Sequence, residues 1–431
     1  MKRNLQSESG CATHIERRNM RCGIMHGAFF HMGTAFADPY AVIPLFLAGF
    51  TESRALIGLI VSLVNAFSVV PQLGMARRIR RNPDSARPFM LAGIWTRCAV
   101  WGIIAATAIL APRQSVWILI VFMGLVAVYS FGAGVAVLPF RRIISETISP
   151  AHRSTFFGAR LVAGGILAVL AGMVVTAVLG NKELAWPRNY GILFALSFVC
   201  LAVAYSAMSR FRFPTAVSGR SSSALLPLRT EIRDVWRTYP ILKRLIAIRL
   251  LSGGLPLVLP FLTLYATKDL GIPLGWVGIF IGAQKAGGIL SNFGWMPLGN
   301  RFGTRSVILS GLGLAVVSLA AIACSESAVG LALAFALAGG AMSAMVVGFG
   351  GYILELGTSE IRPLLFALEG TLLMPLYFMP LLGGWLADRV GYRPLVLAGG
   401  VLLLGALVLA RTLCEPRRGD PACGPCIVIA R

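Results

Sequence analysis

Long apolar runs dominate the chain, each near the 20 residues that a helix needs to cross roughly 30 Å of hydrocarbon. Twelve qualify, near 24–49, 55–75, 88–111, 115–139, 157–180, 189–209, 245–267, 273–297, 305–324, 328–353, 363–386 and 392–412. Short polar loops separate them, with one long polar interval at 210–244. An even number of crossings leaves both ends of the chain on one side. The pattern predicts an all-α membrane protein of twelve transmembrane helices in two pseudo-symmetric six-helix bundles. Its parts are an N-tail (1–23), an N-terminal bundle (24–209), a linker (210–244), a C-terminal bundle (245–412) and a C-tail (413–431).

Composition agrees. Of the 431 residues 57% are hydrophobic and 13% charged, with mean hydropathy +0.77, where a soluble chain carries about 25% charged residues. The net charge of +22 raises nucleic acid as a partner, but the placement of the basic residues removes that need. Thirty lysines and arginines fall in the tails and loops of one side and seven on the other. By the positive-inside rule both tails and the middle loop are cytosolic, in a multi-pass protein of the cell (inner) membrane. The N-terminus has no apolar core before a cleavage site, so the first span serves as the insertion signal.

Several chemistries find no support. No Walker sequence suggests ATP, and no nucleophile–base constellation suggests an enzyme. The four histidines lack zinc-ligand spacing with cysteines, so neither a metal nor another cofactor is expected. Eight scattered cysteines predict reduced thiols. "CGPC" at 423–426 matches a redox tetrapeptide without the βαβ context that gives it meaning. It reads as an incidental tail, with metal binding alongside Cys414 as the alternative.

The middle interval opens with "VSGRSSSALL", a flexible linker, and continues as an amphipathic helix with Ile232, Val235 and Trp236 on one side. It divides two halves that resemble each other. Glu146 and Arg153 are seven apart after span four, and Glu355 and Arg362 are seven apart after span ten. Seven residues further, Arg160 corresponds to Glu369. "GLIVSLVN" (58–65) parallels "GIFIGAQK" (278–285), which sets Asn65 opposite Lys285.

With these features the chain resembles the major facilitator superfamily of secondary transporters over nearly its whole length. That family carries a basic motif after spans two and eight. The second copy here is "MPLGNRFGTR", with Leu298, Arg301, Gly303 and Arg305 in register and Asn300 at the aspartate's place. The first, "GMARRIRRN", keeps Arg77, Arg78, Arg80 and Arg81 without the aspartate or second glycine. "LLGGWLADRVGYRPLVL" (381–397) is similar to the family's turn between spans eleven and twelve. The resemblance implies alternating access and a small-molecule substrate. It does not carry a subfamily or a named solute.

Ionisable groups inside a span cost at least about 2.5–3.5 kcal/mol each and are turned inward, toward partners or a cavity. Asp38, Arg97, Lys285 and Glu369 fit that description, with Arg160 and Arg249 nearer the cytosolic ends. Lys285 shares a small, polar stripe with Gly278, Gly282 and Asn292. It reads as a cavity residue, or alternatively as half of a structural ion pair. Asp38 lies on a stripe with His31 and Thr34 just before Pro39, which predicts an irregular helix and a cation- or proton-binding role, or else a plain kink. Glu369 is read equally as a proton carrier and as a partner of Arg160. Arg97, on a span that is peripheral in the family, reads as structural. Asp38, His31, Lys285, Asn65, Asn292 and Glu369 are the substrate or ion candidates. Glu146, Arg153, Glu355 and Arg362, with Arg301 and Arg305, are the cytosolic gate. The reading is a monomeric, proton-coupled secondary transporter of a small anionic or polar organic solute. A multidrug or metabolite exporter is the alternative within the class, and a non-transporting receptor the alternative outside it.

Overall fold

A computed structural model describes residues 2–110, 116–212, 228–356 and 362–416. The secondary structure is helical: α1 Lys2–Phe36, α2 Val42–Leu47, α3 Arg54–Ala66, α4 Gln72–Arg81, α5 Ala86–Leu110, α6 Val116–Thr147, α7 Pro150–Gly180, α8 Arg188–Ser209 and α9 Leu228–Thr238. The series continues with α10 Ile241–Leu251, α11 Gly254–Leu264, α12 Trp276–Phe302, α13 Thr304–Cys324, α14 Ala328–Glu355, α15 Arg362–Leu372, α16 Met379–Val390 and α17 Tyr392–Ala410. Among the described residues each of the twelve predicted spans is largely helical. Among the described residues, nine helical stretches are long and apolar enough to cross a membrane. The remaining three spans fall short for a physical reason. α1 is polar over its first half, α3–α4 is interrupted, and α12 carries Gln284, Lys285, Ser291 and Asn292. Trp117, Leu290, Phe293, Leu397 and Val401 are exposed. Apolar surface of that kind suits a lipid environment.

Two compact units result. The first comprises residues 1–38 and 64–222, the second residues 39–63 and 223–431. Residues 39–63, which belong by sequence to the first six spans, are thus packed with the second unit. In the first unit α1 lies against α7 and α8, and α5 against α6 and α8. In the second, α14 packs on both α12 and α13, and α17 on α13, α10 and α11. The α12–α14 approach is close because a Cβ on Gly287 would strike the Ala336 carbonyl and one on Gly339 the Gln284 carbonyl. Near the start of the second unit's longer segment, α9 forms as its pattern predicts. Val235 is buried while Arg233, Asp234 and Arg237 are exposed. The side chain of Ile232 and the linker 217–226 lie outside the described residues.

Four spans are broken. The break after Phe36 is the one that Asp38–Pro39 predicts, since proline donates no N–H and restricts the residue before it. The others fall near Pro71 between α3 and α4, at Ser252–Gly253 between α10 and α11, and at a 3-10 turn, Met374–Phe378, between α15 and α16. A broken helix frees backbone groups that hydrocarbon cannot satisfy, and here side chains satisfy them. Ser62 donates to the Gly58 carbonyl (2.8 Å) and accepts from the Leu381 N–H (3.2 Å), which ties α3 to the first turn of α16. Ser68 donates to the Asn65 carbonyl at 2.6 Å. Ser252 donates to the Arg249 carbonyl, also at 2.6 Å.

Contacts within each unit join loops that the twelve-span reading assigns to one side. In the first unit Asn19 bonds the Arg212 backbone in both directions, and Glu16 reaches Ser149 and His152. In the second, Arg393 pairs with Glu326 at 2.7 Å and Arg54 with Asp269 at 3.6 Å. Asp388, from the turn motif before span twelve, caps α3. Its two oxygens accept from the Arg54 and Ala55 N–H groups at 2.9 Å each, and Ser53 Oγ adds a third bond at 3.3 Å. A carboxylate there satisfies orphan donors and meets the positive end of the helix dipole. Asp388→Ala is therefore expected to lower stability by about 1–2 kcal/mol, read as a lower Tm for the purified protein, with Asp388→Asn intermediate. An unchanged Tm in Asp388→Ala would show the cap to be dispensable.

Candidate functional site

Each unit holds ionisable side chains within its spans, in different surroundings. In the second unit Arg249, near the end of α10, lies 3.6 Å from Glu369 of α15. The Arg249 guanidinium also covers the Phe349 ring of α14, 4.8 Å from its centroid. Tyr377, in the 3-10 turn, feels the charge of both Arg249 and Glu369. All three spans contribute, and two of them are broken beside this cluster. Lys285 is partly buried on α12. One residue away on that helix, Gln284 is buried and its Nε2 sits 3.8 Å from the Met342 sulfur. Asn292 donates to the Gly288 carbonyl (2.6 Å) and accepts from Ser343 (3.1 Å), so it ties α12 to α14.

In the first unit α1, α5, α6, α7 and α8 bring together His26, Arg97, Arg160 and four aromatic rings. The His26 imidazole stacks on Phe30 (5.7 Å) and leans on Phe140 (5.8 Å) and Tyr205 (5.9 Å). Arg97 lies over Phe30 at 5.3 Å and over Tyr129 at 4.5 Å, and donates to the Tyr129 hydroxyl at 2.7 Å. Arg160 lies over Phe140 at 5.0 Å. Its stem fills the space that a side chain at position 27 would need, which is why glycine stands there. Among the described residues neither guanidinium has an ion pair with a carboxylate. Cation–π contact is worth about 2 kcal/mol when desolvated, against several kcal/mol to desolvate each ion. The rings alone do not balance two guanidiniums.

The other sequence candidates are spread wider. Asp38 is buried in the interruption after α1, and His31 lies on α1 beside Gly164 of α7. Asn65 is near the end of α3.

Residues 245–422 match the sequence model of the Major Facilitator Superfamily. A search of curated proteins by sequence finds no match. Among solved structures, a D-xylose-proton symporter aligns with TM-score 0.70 at 15% identity, over 93% of this chain and 98% of that one. A bacterial homologue of the iron transporter ferroportin, inward-facing, aligns at 0.66 and 15%, over 93% and 98%. The nucleoside transporter NupG aligns at 0.59 and 17%, over 92% and 97%. Residues 245–422 are thus similar in sequence to the superfamily, and the whole chain is similar in fold to these transporters. Identities this low show the fold alone.

The superfamily's basic turn between spans eight and nine departs from the motif at Asn300, and the structure brings a different carboxylate to that turn. Glu415, just after α17, accepts from the Arg305 N–H at 3.1 Å and lies directly against Gly303, whose φ of 91° leaves no place for a side chain. Arg305 itself donates to the Arg411 carbonyl at 2.8 Å. The buried Glu355 accepts from Thr304 Oγ1 at 2.8 Å, and Tyr352 donates to the Cys414 carbonyl at 2.9 Å. Arg301 covers Phe302 at 5.1 Å. Glu146 pairs with Arg142, one turn earlier on α6, at 2.6 Å. The side chains of Arg153 and Arg362, and the 423–426 tetrapeptide, lie outside the described residues. Cys414 is disulfide-bonded, which corrects the expectation of reduced thiols throughout.

Sequence reasoning singled out neither Glu415 nor Glu16. Glu16 accepts from the Ser149 N–H at 2.8 Å and meets His152 Nδ1 at 3.1 Å. Bonds from Ser149 hold its carboxyl below the usual carboxylate range, against a smaller opposing effect of burial. A lowered carboxylate pKa stabilises the docked state above the ordinary value, and that contribution is lost as pH falls through the lowered one. Hydrogen exchange at the Ser149 amide is accordingly expected to lose protection on acidification below the carboxylate range. Glu16→Gln should abolish the step, and a step that survives in Glu16→Gln would assign it to another group.

Proposed function

We propose that this chain is a secondary active transporter of a small solute, working by alternating access and coupled to protons. The observation that supports this best is the Arg249–Glu369 pair, held at 3.6 Å across two spans that are both interrupted beside it. Freed backbone near an acid within a span suits ion binding, and an ion pair on broken helices is a switch. Protonating Glu369 removes its charge and releases Arg249, so proton binding changes which arrangement of these helices is favoured. A ligand shifts such an equilibrium only through differential affinity for its states, and the pair supplies that difference. Asp38 is a second candidate carrier, and Lys285 a candidate contact for an anionic or polar organic solute.

Glu146, Arg153, Glu355 and Arg362, with Arg301 and Arg305, remain the proposed cytosolic gate, placed there by the positive-inside orientation. The one exposed pair described in this set, Glu146 with Arg142, is of a kind that contributes only about 0–1 kcal/mol, which suits a contact that forms and breaks in every cycle.

Purified protein in proteoliposomes with an imposed pH gradient tests the reading, using labelled anions, sugars, amino acids and cationic dyes. Gradient-driven flux of at least one class is expected. No flux for any class would instead favour a receptor on the same fold. For the transported solute, Glu369→Gln should bring gradient-driven uptake near background while solute counterflow persists; equal loss of both would remove Glu369 as the proton carrier. Lys285→Met should insert normally and lose or redirect transport, and unchanged kinetics would leave the lysine a purely structural role.

A further inference from the structure

The cluster in the first unit has a composition that points to a ligand. The charged groups acting on His26 are Arg160, Arg97 and His31, all cations or potential cations. Phe30 is shared between His26 and Arg97, and Phe140 between His26 and Arg160, so the two guanidiniums flank one imidazole. The rings occupy guanidinium faces and leave polar edges. Arg97 Nε, Arg160 Nη1, His26 Nδ1 and the Tyr205 hydroxyl are closed off from solvent and have no hydrogen-bond partner in the protein. Tyr205 is fully buried and lies within electrostatic reach of Arg97 and Tyr129. Asp38, the acid that follows on the same chain segment, is twelve residues beyond His26 and past the end of α1.

Guanidinium is a fixed fork of donors with no acceptor, and its match is a carboxylate or phosphate oxygen pair. A metal cation would meet donors and positive charge, and a neutral polyol would leave the two cations without a counter-charge. We infer that His26, Arg97, Arg160 and Tyr205 form an oxyanion subsite that takes the carboxylate or phosphate group of the transported solute. The assignment rests on the transporter reading and narrows its substrate to oxyanions. It also replaces the structural role that the sequence suggested for Arg97 with solute contact.

The test is binding to the full-length protein in detergent, followed as thermal stabilisation by sodium phosphate, sodium succinate and sodium chloride at matched ionic strength. A saturable rise in Tm with phosphate or succinate, beyond that with chloride, is expected, and the arm that responds tells phosphate from carboxylate. Arg160→Lys and Tyr205→Phe, which preserve volume, should weaken the apparent affinity by about 10-fold, the loss of one or two hydrogen bonds to a charged group. Arg97→Gln should abolish the response, and if it does not fold the two conservative variants decide alone. Wild-type protein that neither oxyanion stabilises, or variants with wild-type affinity, would overturn the subsite. Binding without flux in proteoliposomes would keep the subsite while removing the transporter reading. Flux of a neutral or cationic solute by a protein that binds no oxyanion would do the reverse.

Discussion

Charge and backbone polarity that cannot reach water must find partners inside the chain, and the rest of this structure answers to that demand. In hydrocarbon each unsatisfied backbone group costs several kcal/mol, so helices are the default and every interruption needs a compensating side chain. Ser62 does this twice, accepting the Leu381 N–H in the first turn of α16 while donating to its own helix. Asp388 does it for the start of α3, and Glu415 for the start of α13. These three residues hold segments far apart in sequence because a lone helix end has no other way to satisfy its donors.

The two units solve the problem of charge differently, and the internal repeat makes the contrast informative. Arg160 and Glu369 are corresponding positions by sequence. In the second unit Glu369 meets a guanidinium, that of Arg249, and Phe349 covers the remaining face. In the first unit Arg160 meets no described carboxylate; it and Arg97 lie on aromatic rings around His26. A duplicated scaffold thus carries an acid–base pair on one side and unbalanced positive charge on the other. The proposed proton coupling rests on the first, a group that a proton can neutralise, and the inferred oxyanion subsite on the second, a group that stays charged for the solute.

Broken helices connect this electrostatics to motion. α10–α11 and α15–α16 both change course beside the Arg249–Glu369 pair, and the freed groups are held by hydroxyls such as Ser252. Hydroxyl bonds of this type contribute about 1 kcal/mol net, enough to hold a bend and small enough to exchange. Continuous helices such as α6, α7 and α14 supply the stiff frame against which such bends can act.

The sequence by itself marked the apolar helical spans and the irregular first span, and it predicted which loops share a side. Hydrophobic length, lysine and arginine bias and proline stereochemistry are local properties that survive any packing. It also marked Glu369, Lys285 and Asp38 as charges within spans, because charge in an apolar run is visible without neighbours. Only the tertiary structure decided which charges meet. Arg97 read as peripheral and His26 drew notice only as an unlikely zinc ligand, since nothing along α1 or α5 reveals that Phe30, Tyr129, Phe140 and Tyr205 converge from three helices. Residues 39–63 likewise read as part of the first bundle, yet their bonds run to Asp388, Asp269 and Leu381 in the second unit. Helix periodicity fixes which face a residue occupies, but the partner across that face is set by how helices hundreds of residues apart pack.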